Sequence, residues 1–313
     1  MPVLIPQNLP AKEILEQENI FIMVEKRAQN QDIRPLKVAI VNLMPAKVET
    51  ETQLLRVLSN TALQVHIDLV RTGTHTGKST SIEHLKQFYR TFDEIKDENY
   101  DAMIVTGAPI EKLNYEDVKY WKEMRTIMDY ALTHVFSTMY LCWAAQAALY
   151  HYYGVEKHLR ENKLFGVFET YISGNSPLTR GFDDCFYTPQ SRYTYCCEKD
   201  IEKVRELIIL AKSPDAGVHI AATNDMRLIF VAGHSEYDKM TLDKEYRRDL
   251  AKGDSIAIPK NYYKNDDPKN DIIMRWRSHG NLMFGNWLNY CVYQETPYDL
   301  NTLKAIKLPG RIL

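Results

Sequence analysis

An excess of charge of either sign is missing from this chain. Over 313 residues, 39 Lys and Arg stand against 41 Asp and Glu, a formal net charge of -2 at pH 7. A balance this even gives no electrostatic footprint for nucleic acid or for an anionic membrane, and neither is expected as a partner. Cysteine is sparse and odd in number: Cys142, Cys185, Cys196, Cys197 and Cys291. No pair has the C-x-x-C spacing of a zinc or redox site, so no metal centre is expected. The first residues carry no basic n-region and no long apolar h-region, and the expected location is the reducing cytoplasm. Long apolar runs are also missing. Residues 135–153 come nearest, but Ser137, Thr138, Gln146 and His151 interrupt them. That run falls short of the ~20 predominantly apolar residues of a membrane span and reads as core. There is no internal repeat and no low-complexity segment.

What is present is ordinary globular material, 45% hydrophobic and 26% charged. Residues 1–34 hold a loose helical pattern over Ala11 to Ala28 and read as an N-terminal arm, outside the core. Lys37 to Leu43 is an uninterrupted apolar run of buried parallel-strand type. An amphipathic helix follows over Val48 to Asn60, then strands at Val65–Val70 and Tyr100–Thr106, with a short helix between them over Ile82–Phe92. A helix over Tyr115–Thr133 leads to a strand ending at Leu141 and an alanine-rich helix over Trp143–Tyr153. This alternation predicts an α/β fold with a mostly parallel sheet flanked by helices. After Gly154 the texture changes to short strand-like segments at 166–172, 186–195, 207–211, 218–223 and 228–232, which extend the sheet as extra strands, mainly as hairpins. A helix over Leu242–Lys252 and a polar loop over 254–271 come next. The last helix is expected over Ile272–Tyr293, with Gly280 and Gly285 as sites of interruption. Residues 35–296 read as a single α/β domain and 297–313 as a tail. The stretch from Gly73 to Gly77 invites a phosphate-loop reading, but it has three residues between its glycines where the motif needs four. It reads instead as a flexible loop at the C-terminal edge of the second strand.

Chemistry concentrates at two places. Cys142 stands at the joint between an apolar, β-prone run and the alanine-rich helix. A strand that turns sharply into a helix exposes its joint residue, as in a nucleophile elbow, and the helix N-terminus favours a thiolate there. The competing reading is a buried core cysteine. His234-Ser-Glu236 follows directly on the last strand run. In extended backbone the His and Glu share a face, so the His can take the thiol proton while the Glu orients and stabilises the imidazolium. Taken together, Cys142, His234 and Glu236 predict nucleophilic cysteine catalysis. An ordinary polar turn is the bland reading of His-x-Glu alone.

An elbow cysteine paired with His-x-Glu resembles the class I glutamine amidotransferase-like (flavodoxin-like) fold. The chain departs from that family's elbow at Tyr140 and Ala144, where glycine is preferred. A closer resemblance spans nearly the whole chain, on Val41-Asn-Leu-Met-Pro-Ala-Lys47, Thr106-Gly-Ala-Pro109, Leu141-Cys-Trp-Ala-Ala-Gln146, Lys163-Leu-Phe-Gly-Val167, Ser191-Arg-Tyr-Thr194 and Gly233-His-Ser-Glu-Tyr-Asp238. With these segments the chain resembles the homoserine O-acyltransferase family of the homoserine transsuccinylase type, which acts in methionine biosynthesis.

That resemblance implies a homodimer acting on L-homoserine and acyl-CoA, with no permanently bound cofactor. Cys142 takes the acyl group from CoA, His234 is the base and Glu236 holds it, and the Trp143 backbone N–H is the oxyanion donor. Lys163, Ser191 and Arg248 match substrate contacts, with Arg247 as the alternative to Arg248 and Lys47 as a further candidate. A guanidinium fork suits the homoserine carboxylate. The position after the Gly-Ala-Pro turn is associated with the donor, glycine with succinyl-CoA and glutamate with acetyl-CoA. Here it is Glu111, whose carboxylate would repel the distal carboxylate of a succinyl group. The expectation is therefore acetyl transfer from acetyl-CoA as co-substrate. The same reaction with succinyl-CoA, a glutaminase-type cysteine amidohydrolase and a small-molecule sensor of the same fold are the alternatives.

Overall fold

Among the described residues, twelve strands join into one sheet, and their order explains how distant segments meet. The computed structural model describes residues 3–6, 8–17, 22–24, 34–74, 80–253 and 255–308. In chain order the N-terminal elements are β1 (Val3–Ile5), α1 (Ala11–Gln17), β2 (Ile22–Val24), β3 (Leu36–Val41), α2 (Lys47–Leu58), β4 (Val65–Arg71), α3 (Ile82–Phe88) and β5 (Tyr89–Thr91). They are followed by β6 (Tyr100–Val105), α4 (Trp121–His134), β7 (Val135–Leu141) and α5 (Trp143–Tyr153). The second half holds β8 (Lys157–Ile172), β9 (Cys185–Cys196), α6 (Glu198–Glu202), β10 (Leu207–Ser213), β11 (Gly217–Thr223), β12 (Leu228–Val231), α7 (Thr241–Ala251) and α8 (Arg277–Asn286). The strand order is β2-β1-β4-β3-β6-β7-β12-β11-β10-β8-β9, with β5 beside β4. Pairing is parallel from β2 through β12 and antiparallel from β12 through β9. The α/β fold with extra C-terminal strands is thus the one the sequence patterns predict.

The central strands are parallel because helices connect them, and they are buried on both faces. β6 is buried at every residue, and β7 at all but Phe136. Two hydrophobic clusters result, one on each face. Val38, Ile40, Ile104, Met139 and Val231 pack on one side, and Ala39, Val41, Met103, Tyr140 and Phe230 on the other. Fully burying one such side chain contributes about 1.5–3 kcal/mol. Polar residues inside β7 are paired: Ser137 donates to the Met226 carbonyl at 3.0 Å and accepts from Trp287 Nε1 at 3.0 Å. Among the described residues, no helix is long and apolar enough to cross a membrane.

Several boundaries differ from the sequence reading. The described part of residues 1–34 does not stand outside the core: β1 pairs with β4, and Ile5, Leu9, Ala11 and Leu15 are buried. Three-residue strands are too short to show a period. The helix expected over Ile82–Phe92 ends at Phe88, where the chain becomes the edge strand β5. A 3-10 turn at Tyr115–Asp117 precedes α4, so the helix starts at Trp121. The last helix starts at Arg277, passes Gly280 and Gly285 unbroken, and widens to a π-helix over Trp287–Tyr293. Within the expected tail, Ile306 is buried and its N–H donates to the Leu132 carbonyl at 2.7 Å. Residues 75–77 of the Gly73–Gly77 loop lie outside the described residues.

Candidate active site

The site forms where β6, β7 and β12 end side by side. Tyr140 is level with Val105, and Leu141 with Val231. One residue beyond β7 is Cys142, three beyond β12 is His234, and the Gly107-Ala-Pro109 turn follows β6. This is the carboxyl edge of a parallel sheet, where open α/β folds place their ligands.

Cys142 takes φ 50° and ψ -113°, a backbone conformation that a side-chain-bearing residue adopts at a cost. The chain is held there from both sides. The Cys142 N–H donates to the Val231 carbonyl at 2.7 Å, and the Gln146 N–H to the Cys142 carbonyl at 3.2 Å. Helix α5 starts at the next residue, and its far end is closed by Gly154 in the left-handed conformation, φ 68°. A first-turn N–H such as that of Trp143 has no acceptor within its own helix. Gly107 packs against the elbow. A Cβ there would stand 3.1 Å from the Cys142 Cβ and 3.5 Å from the Trp143 nitrogen. Sequence reading missed this glycine, although it lies in one of the quoted motifs.

His234 is buried and lines one cavity with Cys142. Its Nδ1 lies 2.7 Å from Glu236 Oε1, which leaves Nε2 for the sulfur. The Tyr237 ring stacks on the imidazole with centres 4.1 Å apart. Burial opposes a charge on His234, but the Glu236 carboxylate and Cys142 outweigh it and hold the imidazole well above its ordinary pKa. The pair does not meet through extended backbone, as the sequence reading had it. The segment turns at Ser235 and Glu236, the His234 N–H donates to the Pro189 carbonyl at 2.9 Å, and the Tyr237 N–H to the His234 carbonyl at 3.3 Å.

Gly233 is required by contact. A Cβ there would lie 2.4 Å from Thr188 Cγ2, 2.6 Å from Gln190 Nε2 and 2.9 Å from the Pro189 oxygen that anchors His234. We expect Gly233→Ala to cost about 1–3 kcal/mol of stability, the usual range for overpacking. Thermal unfolding measures that loss, and activity should fall further, because the displaced atoms position the imidazole.

A cavity of about 450 Å³ opens above Cys142. The candidate residues Glu111, Lys163, Ser191 and Arg248 all line it with Cys142 and His234. Arg247 does not. It binds Asp243 on the outer side of α7 through Nε, at 2.9 and 3.0 Å. Lys47 does not line this cavity either. Its Nζ donates to the Asn42 carbonyl and, at 3.4 Å, to the Met44 carbonyl, under the Tyr89 ring, and burial pushes its pKa down to about 8. It braces the turn that brings Met44 and Pro45 to the cavity rim.

Among the lining residues that escaped sequence reading are Tyr237, Glu245 and Asp249. Ser191 Oγ donates to Glu245 Oε2 at 2.5 Å, and Lys163 Nζ lies 3.4 Å from Glu245 and 3.5 Å from Asp249. Arg248 Nε donates to Asp249 Oδ1 at 2.7 Å. Glu245 and Asp249 stand one helical turn apart on α7, a spacing that could have flagged them. A larger cavity of about 800 Å³ lies beyond the 235–240 segment and includes Glu236 but not Cys142, so it lacks the nucleophile. Among the described residues, no group of three or more His, Cys, Asp or Glu could hold a metal ion.

Fold and site together define a class I glutamine amidotransferase-like α/β protein with an elbow cysteine facing a His–Glu pair. A glutamine amidotransferase from Thermotoga maritima has this fold, with a TM-score of 0.56 and 11% identity over 82% of this chain and 98% of its own. Another from Methylobacillus flagellatus aligns with a TM-score of 0.52 and 10% identity over 86% of this chain and 99% of its own. The chain belongs to the homoserine O-succinyltransferase family, whose model matches residues 2–298. A homoserine O-acetyltransferase of Acetivibrio thermocellus is 56% identical over 97% of this chain and 100% of its own length. One of Brevibacillus brevis is 57% identical over the same shares.

Proposed function

We propose that this chain transfers an acetyl group from acetyl-CoA to the hydroxyl of L-homoserine through a thioester on Cys142. One observation carries the reading: the elbow cysteine Cys142, Glu111 and His234, whose Nδ1 is held by Glu236, line a single cavity. The names of the relatives support the same reading.

The Cys142 thiolate attacks the thioester carbonyl of acetyl-CoA, and the tetrahedral oxyanion lies against the Trp143 N–H at the start of α5. Collapse breaks the bond to CoA, whose sulfur takes the proton held by His234 Nε2. In the second half the homoserine hydroxyl attacks the acetyl-enzyme, His234 accepts the hydroxyl proton, and Cys142 leaves as thiolate. Homoserine is a zwitterion, and the cavity wall offers both signs of charge. Arg248 and Lys163 suit its carboxylate, and Glu245 and Asp249 its ammonium. Acetyl-CoA is a co-substrate, no permanently bound cofactor is involved, and the enzyme works as a cytoplasmic homodimer.

Intact mass of the protein after incubation with acetyl-CoA alone tests the reading. One added acetyl group, released by homoserine as O-acetylhomoserine, is the expected result. A succinyl adduct from succinyl-CoA in its place overturns the donor assignment.

Glu236→Gln should lower kcat/KM by about 10²–10⁴, since loss of the orienting acid in a related triad costs about 10⁴. The pH behaviour moves with it. Burial lowers the His234 pKa while the Glu236 carboxylate and Cys142 raise it, so removing the carboxylate shifts the titration of His234 to lower pH. An NMR titration of the imidazole in the two proteins checks the direction. A curve that stays in place would mean that Glu236 does not set the charge.

A further inference from the structure

The turn that carries Glu111 has little regular structure to hold it. Between β6 and the 3-10 turn at Tyr115 its own bonds include Ile110 N–H to the Ala108 carbonyl, 2.8 Å, and Leu113 N–H to the Ile110 carbonyl, 3.0 Å. Its fastening comes from elsewhere. Lys157, the first residue of β8, donates from Nζ to the Glu111 carbonyl at 2.9 Å and also to the Leu113 carbonyl. The same ammonium lies 4.2 Å from the centre of the Tyr115 ring. Lys112 makes a second tie, its Nζ 3.6 Å from the centre of the Tyr193 ring on β9, and Tyr193 lines the cavity. The Glu111 turn is therefore fixed to the β8–β9 pair, which also brings Lys163 and Ser191 to the site.

A half-buried ammonium is a costly clamp unless its acceptors are fixed. Here two carbonyls of one turn and an aromatic face take it. One carbonyl is Glu111's own and the other lies two residues on, and Glu111 lines the cavity above Cys142, so the clamp sets where that residue stands.

We propose that Lys157 is a positioning residue for acyl-donor choice, holding the Glu111 turn so that its carboxylate meets the far end of the acyl group. This rests on the assignment of Glu111 to donor choice, and the test separates the two. The ratio of kcat/KM for acetyl-CoA to that for succinyl-CoA is measured in the wild type, Glu111→Ala, Lys157→Met, Lys157→Gln and Lys157→Arg. Lys157→Met keeps an apolar stem over Tyr115 and removes the charge and its donors. Its ratio should fall about tenfold, the low end of what a reshaped pocket contact is worth. Lys157→Gln should give an intermediate ratio, and Lys157→Arg should restore most of it. A purely structural lysine would lower the melting temperature and leave the ratio alone. If Glu111→Ala relaxes the donor preference while Lys157→Met and Lys157→Gln keep the wild-type ratio, the Lys157 proposal is overturned and Glu111 stands. If Glu111→Ala leaves the ratio unchanged, the Glu111 assignment fails and this proposal fails with it. Should Lys157→Met not fold, Lys157→Gln decides, and a wild-type ratio in it overturns the proposal.

Discussion

A Cys142→Ser protein should take up no acetyl group from acetyl-CoA and should lose on the order of 10⁴–10⁶ in kcat/KM, the scale seen when a nucleophile is removed from a triad. The substitution is close to isosteric. It keeps the N–H bond to Val231 and the start of α5, so the fold and the cavity should persist and the melting temperature should move little. What changes is the nucleophile. A serine hydroxyl stays protonated beside His234, and the imidazole must then remove that proton during attack. The measurement pairs intact mass with the release of CoA thiol. An adduct on the serine variant, or a rate near the wild type, would place the acyl group elsewhere or point to direct transfer between bound substrates. A sensor of the same fold would keep full function with serine at this position. A glutaminase-type enzyme would release ammonia from glutamine and show no dependence on CoA.

The elbow was legible because two local signals abut at one residue. A β-prone run ends at Leu141 and an alanine-rich one begins at Trp143, and the structure changes element there. The hairpin strands after Gly154 were legible from their turn residues, since β9 and β11 fall on the expected segments, and β8, β10 and β12 start or end within a few residues of them. The pairing of His234 with Glu236 was read correctly through an argument that the backbone does not follow, because a turn brings them together.

The rest of the site depends on sheet order, which leaves no local trace. Lys163 and Ser191 sit on β8 and β9, strands at the far edge of the sheet from β7 in pairing order, yet both line the cavity above Cys142. Only a motif match pointed to them. Glu245 and Asp249 look like the polar face of an exposed helix until Lys163 and Ser191 are placed against them. Lys47 shows the converse. It lies in a matched segment and carries a charge, but its ammonium closes on carbonyls of its own turn, and it does not line the cavity. A charged residue in a motif can support the site without touching what the site binds.

Replacing Glu111 should change the preferred donor, and the variant series can separate charge from volume. Acetyl and succinyl differ at the end remote from the thioester, where one carries a methyl hydrogen and the other an extra methylene and a carboxylate. Glu111 lines the same cavity as Cys142. A carboxylate set against a second carboxylate there costs several kcal/mol before screening. For a partly exposed cavity the expected penalty is a factor on the order of 10² in kcat/KM for succinyl-CoA. Glu111→Gln removes the charge and keeps the bulk, so it should recover most of that factor if repulsion dominates. Glu111→Gly removes both and should recover all of it. Kinetics at rising salt supply an independent check. Screening weakens repulsion between partly exposed charges, so the wild-type discrimination should shrink with ionic strength while that of Glu111→Gln stays flat. A succinyl rate that rises in Glu111→Gly but not in Glu111→Gln would assign the discrimination to volume. If neither variant raises it, donor choice lies in another part of the cavity wall.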